Sequence, residues 1–191
     1  MTWRGHRVFG LDRVPLPGRG GAEDAIAAAG AALEYGVSID SVAEALQSFQ
    51  PLPHRLQSIA EIGGVSYVDD SKATNPHATL AAVTGLSRVV LIAGGRSKNI
   101  DLAPLASTVP PVEAVVALGE AAGEVEEVFE GLVPVQRAAS MSQAVRLASA
   151  AASSGGSVLL SPGCASLDMY ESYAARGDAF ARAVQELSAG A

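Results

Sequence analysis

Cysteine is nearly absent. Cys164 is the only one in 191 residues, which excludes an intramolecular disulfide framework and suits a reducing compartment. Clustered positive charge is missing as well. Thirteen Lys and Arg face twenty Asp and Glu, for a formal charge of −7, and without a basic stripe the chain offers nothing to duplex nucleic acid or to an anionic membrane. No apolar run reaches the length of a membrane-spanning helix. The opening "MTWRGHRVFGLDRV" has neither the continuous apolar stretch nor the small-residue cleavage site of an export signal. These absences point to the cytoplasm.

Known chemistry motifs are missing too. No G-x-x-x-x-G-K-[ST] phosphate loop occurs anywhere, and "GRGGAED" does not complete G-x-G-x-x-G, so a nicotinamide-dependent oxidoreductase lacks its glycine fingerprint. Around Cys164, "GCASL" is not the hydrolase elbow G-x-S-x-G. None of the three histidines (His6, His54, His77) lies in a motif tying it to that thiol as a base. A small buried packing residue is the expected role of Cys164.

What is present is a globular composition, 49% hydrophobic and 17% charged, with short Val/Leu/Ile runs alternating with helical patterns from residue 65 onward. "VSYV", "RVVLIAGG", "EAVVALG", "VPVQRA" and "SVLLSPG" predict strands of a mostly parallel sheet covered on both faces, an α/β doubly wound domain. Gly63-Gly64 between "LQSIAEI" and "VSYV" predicts a hairpin that adds an antiparallel edge strand. Asn75 is expected to cap a helix with Pro76 in its first position. In "SMSQAVRLASAA", Met141, Ala144, Val145 and Ala148 fall on one helical face. Residues 1–52 read differently: a helix in "AEDAIAAAGAALEYG" closed by Gly36, then a second opened by a Ser41/Glu44 capping box. Two prolines in "QPLPHRLQ" mark the boundary with a domain over 53–191.

Three loops follow strands, where open α/β sheets bind ligands. "DDSKATN" gathers Asp70, Lys72 and Thr74; "GGRSKN" joins glycines that permit close backbone approach to Arg96 and Lys98; and "SPGCASL" offers Ser166 and neighbouring amides to an anion. Each also has a bland reading as a capped or solvated turn. Convergence of all three on one site explains the polar "DDSKATN" turn better than capping alone.

The order "LPHRLQSI", "YVDDSKATNPHAT", "LIAGGRSKNIDL" and "LLSPGCASLDMYESYAARGDAFARAV" resembles the carboxyl-terminal domain of the Mur ligases, and "DDSKATN" resembles their D-glutamate-adding members. The resemblance implies a Rossmann-like sheet over 53–191, preceded over 1–52 by a helical remnant of the family's central ATPase domain. It also implies a part in peptidoglycan precursor synthesis, the ATP-dependent addition of D-glutamate to UDP-N-acetylmuramoyl-L-alanine. Carried residue by residue, it assigns Arg55, Asp70 and Asn75 to ATP, Asp70 at the ribose. Lys72 falls beside the reacting groups, Thr74 and Lys98 on one D-glutamate carboxylate, and Ser166, Leu167 and Tyr173 on the other. The magnesium ligands and phosphate loop belong to the family's central domain, so no metal site is expected in this chain and no turnover by it alone. The competing reading is a freestanding domain that holds an acidic amino acid or a nucleotide without catalysis.

Overall fold

A computed structural model describes residues 1–10 and 18–189. The stretch 11–17, within the segment read as a helical remnant, lies outside the described residues. Two compact units divide the chain, Met1–Leu52 and Pro53–Ala191.

In the first unit a short antiparallel hairpin, β1 (Thr2–Trp3) and β2 (His6–Arg7), precedes helices α1 (Gly18–Glu34) and α2 (Ile39–Ser48). The hairpin was not expected, because two-residue strands carry no readable period; its turn residues Arg4 and Gly5 have φ of 44° and 84°. Gly36, at φ 99°, ends α1 as expected, donating to Leu33 O at 3.1 Å. The capping box does not form as read from the sequence. Ser38, not Ser41, caps α2, its hydroxyl accepting from the Ser41 N–H at 3.2 Å. Both serines are acceptable N-cap residues although only Ser41 has Glu44 three residues on, and the extended backbone of Ser38 (φ −68°, ψ 151°) makes it the cap. Val8 and Phe9 pack with Ala25, Ala29, Leu33 and Val42 into a small core.

The second unit is a six-stranded sheet in the order β3-β4-β8-β5-β6-β7. Its strands are β3 (Gln57–Ile62), β4 (Val65–Asp69), β5 (Val89–Gly94), β6 (Val112–Leu118), β7 (Val135–Ala138) and β8 (Ser157–Leu160). β3 pairs antiparallel with β4 at the edge, through a turn in which Gly63 and Gly64 take φ of 60° and 77°. All other pairings are parallel.

Strand alternation divides the core in two. Tyr67, Val90, Ile92 and Leu160 face helices α5 (Met141–Ala151) and α6 (Tyr173–Ala189). Leu91, Ala93, Val115 and Leu159 face α3 (Pro76–Val83), the 3-10 helix Ala103–Thr108 and α4 (Ala122–Phe129). Asn75 caps α3 through its side-chain oxygen, 3.0 Å from the Ala78 N–H, with Pro76 following. Met141, Ala144, Val145 and Ala148 are the buried face of α5. Among the described residues no helix is long and apolar enough to cross a membrane.

The chain runs outward from β5 to β7 and returns to insert β8 between β4 and β5. The order therefore reverses around β8, and the loops after β4, β8 and β5 lie side by side at one edge. That crevice is the ligand position characteristic of doubly wound sheets.

Candidate functional site

The loop after β4 is held from both sides. Asp70 donates its N–H to Leu160 O at 2.8 Å, and its carboxyl accepts from Ser161 Oγ at 2.8 Å and from the Leu56 N–H at 3.2 Å. Only 5% of Asp70 is exposed. Burial pushes its carboxyl up to about 6, against the opposing pull of those two donors. Asp69, fully buried, accepts from the Ser71 N–H at 2.8 Å and lies 2.7 Å from His54 Nδ1. His54 in turn accepts the Lys72 N–H on its backbone oxygen at 3.0 Å. The Lys72 ammonium sits 4.5 Å from the centre of the Tyr173 ring.

One side chain from α6 ties this loop to the one after β8. Arg176, 2% exposed, donates from Nε to Ser71 Oγ at 3.0 Å, from Nη2 to Ser71 O at 2.9 Å and from Nη1 to Cys164 O at 3.0 Å. Burial draws the guanidinium down to about 10, which leaves it charged at neutral pH. Gly163 N–H adds a bond to Ala73 O at 3.0 Å.

The loop after β5 is knitted to the same segment. Gly94 N–H donates to Pro162 O at 2.8 Å, and Arg96 and Ala165 exchange backbone hydrogen bonds of 2.8 and 3.1 Å. Cys164, fully buried between these contacts, has its thiol pushed up to about 12 by burial. A thiol so far from ionising is a packing group rather than a nucleophile.

A family model described as Mur ligase, glutamate ligase domain, matches residues 54–164. The chain belongs to the Mur ligase family. Relatives named UDP-N-acetylmuramoylalanine–D-glutamate ligase include that of Nitrosococcus oceani, 42% identical over 97% of this chain and 43% of its own length. Another, from Dechloromonas aromatica, is 43% identical over 97% and 42%. The chain thus spans a little over two fifths of the curated relatives it matches. Among solved structures, UDP-N-acetylmuramate-alanine ligase MurC from Thermotoga maritima superposes with a TM-score of 0.66 at 14% identity, over 91% of this chain and 40% of that one. The bifunctional folylpolyglutamate synthase/dihydrofolate synthase from Yersinia pestis gives 0.60 at 23%, over 91% and 40%. At such identities these two show the shared fold.

In this Mur ligase domain the three loops read from the sequence are one hydrogen-bonded cluster. Thr74 is half-buried, Ser166 is buried at 3% exposure, and Leu167 and Tyr173 stand out at 50% and 37%. Lys98 is exposed, in the left-handed region at φ 55°. Arg55 is also exposed, next to the Leu56 amide that bonds Asp70, while Asn75 commits its side-chain oxygen to the α3 cap.

The sequence reading missed Arg176, the His54–Asp69 pair and Asp168, which accepts the Glu120 N–H at 2.8 Å. The one available signal was a charged residue at an apolar-face position of "YAARGDAFARAV", four before buried Phe180.

Proposed function

We propose that this chain is the part of a D-glutamate-adding Mur ligase that holds D-glutamate and closes over ATP. The observation carrying this reading is the convergence, around β8, of the loops that bear Lys72 and Thr74, Lys98, and Ser166. A dicarboxylate needs two separated donor clusters. Lys98 with Thr74 would serve one carboxylate, and Ser166 with the Leu167 and Tyr173 region the other.

The reaction joins the amine of D-glutamate to the activated carboxyl of UDP-N-acetylmuramoyl-L-alanine. ATP phosphorylates that carboxyl, the amine nitrogen then bonds its carbon, the carbon–oxygen bond to phosphate breaks, and the amine loses a proton. The products are amide, ADP and phosphate. Lys72 would offset negative charge developing at the acyl phosphate, its ammonium steered by the Tyr173 ring.

For ATP, the fit is partial. Each Asp70 oxygen has one partner in the chain and a second lone pair, so its exposed rim can take a ribose hydroxyl. The exposed Arg55 and the amide of Asn75 would complete the nucleotide side. Magnesium, when bound, would supply positive charge to offset the negative charge of the phosphates. Among the described residues no group of three or more His, Cys, Asp or Glu side chains could hold a metal ion; on this reading the magnesium ligands are supplied by the family's central domain. Turnover then requires that domain, in the cytoplasm where the nucleotide substrates reside.

Joining this chain to the amino-terminal portion of the Nitrosococcus oceani relative tests the reading. Lys98→Ala should raise the D-glutamate requirement roughly tenfold to a hundredfold, the loss of a charge-assisted hydrogen bond, while changing that for ATP far less. Asp70→Ala should do the reverse. Equal shifts for both substrates in both variants would refute the division of labour.

A further inference from the structure

The turn at 119–121, between β6 and α4, carries none of the residues assigned above, yet it touches two of the three loops, one through its backbone and the other through a side chain. Ala121 N–H donates to Gly95 O at 2.7 Å, and Glu120 N–H donates to Asp168 Oδ2 at 2.8 Å. With the Arg96–Ala165 bridge these contacts close a triangle: residue 95 to 121, 120 to 168, and 165 back to 96.

Two features fit the turn to this arrangement. Gly119 has φ 81°, and a Cβ there would run into the Asp168 carboxylate and come within 2.9 Å of Gly95 Cα. Helix α4 has no side-chain cap of its own, its N-cap being Ala121, so the carboxylate of Asp168 serves the adjoining N–H from another loop. Two side-chain contacts add little. Arg96 Nε–Glu120 Oε2 and Ser97 Oγ–Glu124 Oε1, both 3.1 Å, lie in solvent.

Lys98 and Asn99 both lie in the left-handed region, at φ 55° and 60°. Non-glycine residues persist there when the surrounding structure holds them. We infer that Asp168 and Gly119 are positioning residues, which use the turn at 119–121 to fix the Lys98 loop against the Ser166 loop. The inference rests on the proposed reading of Lys98 and Ser166 as the groups that take the two carboxylates of D-glutamate. Neither positioning residue touches that ligand; each sets the separation of the groups that do.

Amide hydrogen exchange on the 191-residue chain reads the frame without any ligand. Asp168→Ala should speed exchange at Arg96, Ala121 and Ala165 by about tenfold beyond Val145→Ala, a core variant that weakens the fold elsewhere. Gly119→Ala should do the same. Asp168→Asn, whose amide oxygen still accepts from Glu120, should restore most of the protection. Exchange at Arg96 and Ala165 no faster in Asp168→Ala than in Val145→Ala overturns the inference.

A D-glutamate titration, followed at the Lys98 and Leu167 amides, separates this from the carboxylate reading. Asp168→Ala should weaken binding by roughly tenfold, with Asp168→Asn between it and wild type. Wild-type chain that responds, with equal affinity in Asp168→Ala, overturns the frame. Wild-type chain that gives no response at either amide removes the carboxylate reading, and the exchange result then decides the frame alone.

Discussion

Arg176 grips Ser71 twice, through its hydroxyl at 3.0 Å and its carbonyl at 2.9 Å, and spends its remaining nitrogen on Cys164 O. One planar fork from α6 thereby joins the loop after β4 to the loop after β8. The Ser71 hydroxyl in turn donates to Tyr173 O at 2.7 Å, which closes the connection back to the start of α6.

Replacing Arg176 should therefore cost far more than a surface arginine. Arg176→Met leaves buried acceptors at Ser71 and Cys164 without donors, and about 3 kcal/mol or more of stability should be lost in urea unfolding. Arg176→Lys should recover little, because an ammonium cannot reproduce the three divergent donors of the fork. A loss within 1 kcal/mol of zero for Arg176→Met would show that the loops are held without it.

Gly177 lies against the His54–Asp69 pair. A Cβ at this position would collide with His54 Nδ1 and come within 2.5 Å of Asp69 Oδ2. Gly177→Ala should lower stability by at least about 2 kcal/mol in thermal unfolding, although alanine is the better helix former. Gly123→Ala in α4 is the contrast, since its Cβ would meet only Arg137 Nη2 at 3.6 Å. That change should be neutral or mildly stabilising.

Asp70 makes stability depend on pH. Its folded pKa, about 6, lies above the ordinary carboxyl value of 3.8. Its contribution is thus fully present below that ordinary value and is lost as pH rises through about 6. Between those limits the difference in stability amounts to about 3 kcal/mol. Wild-type chain minus Asp70→Asn, measured by urea unfolding at steps from pH 4 to 7, should show stability falling with pH. A difference that is flat or rises would contradict the burial of this carboxyl.

The Lys72–Tyr173 contact is open to a double-mutant cycle. An ammonium 4.5 Å from a partly exposed ring should couple by about 0.5–1 kcal/mol. Tyr173→Phe should retain most of that coupling and Tyr173→Leu should lose it, since the ring face carries the attraction while the hydroxyl lies 3.4 Å from the ammonium. Coupling lost equally in both would assign it to the hydroxyl.

Local patterns made much of the architecture legible. Gly63-Gly64 predicted the hairpin, Asn75-Pro76 the start of α3, and the near-continuous apolar runs a parallel sheet covered on both faces, because each depends on backbone preference or on a period within a few residues. The three loops were legible for a related reason. They follow strands, and polar residues crowded into such turns stand out against an apolar chain. Short range also set the limits of this reading. Ser41 with Glu44 matched the capping box while Ser38 is the actual cap, and the two-residue strands of the first unit were too short to show a period.

Composition and spacing by themselves determined that the chain folds as a doubly wound α/β domain with its polar loops after the strands. Only the tertiary structure decided what holds those loops in place. Arg176 meets Ser71 across 105 residues of sequence, Ser161 meets Asp70 across 91, and Asp168 meets Glu120 across 48. No periodicity connects such pairs. Insertion of β8 between β4 and β5 brings the first two pairs within hydrogen-bonding distance, while Asp168 meets Glu120 at the surface. Once buried, the polar groups of those first two pairs must find a partner wherever the fold supplies one.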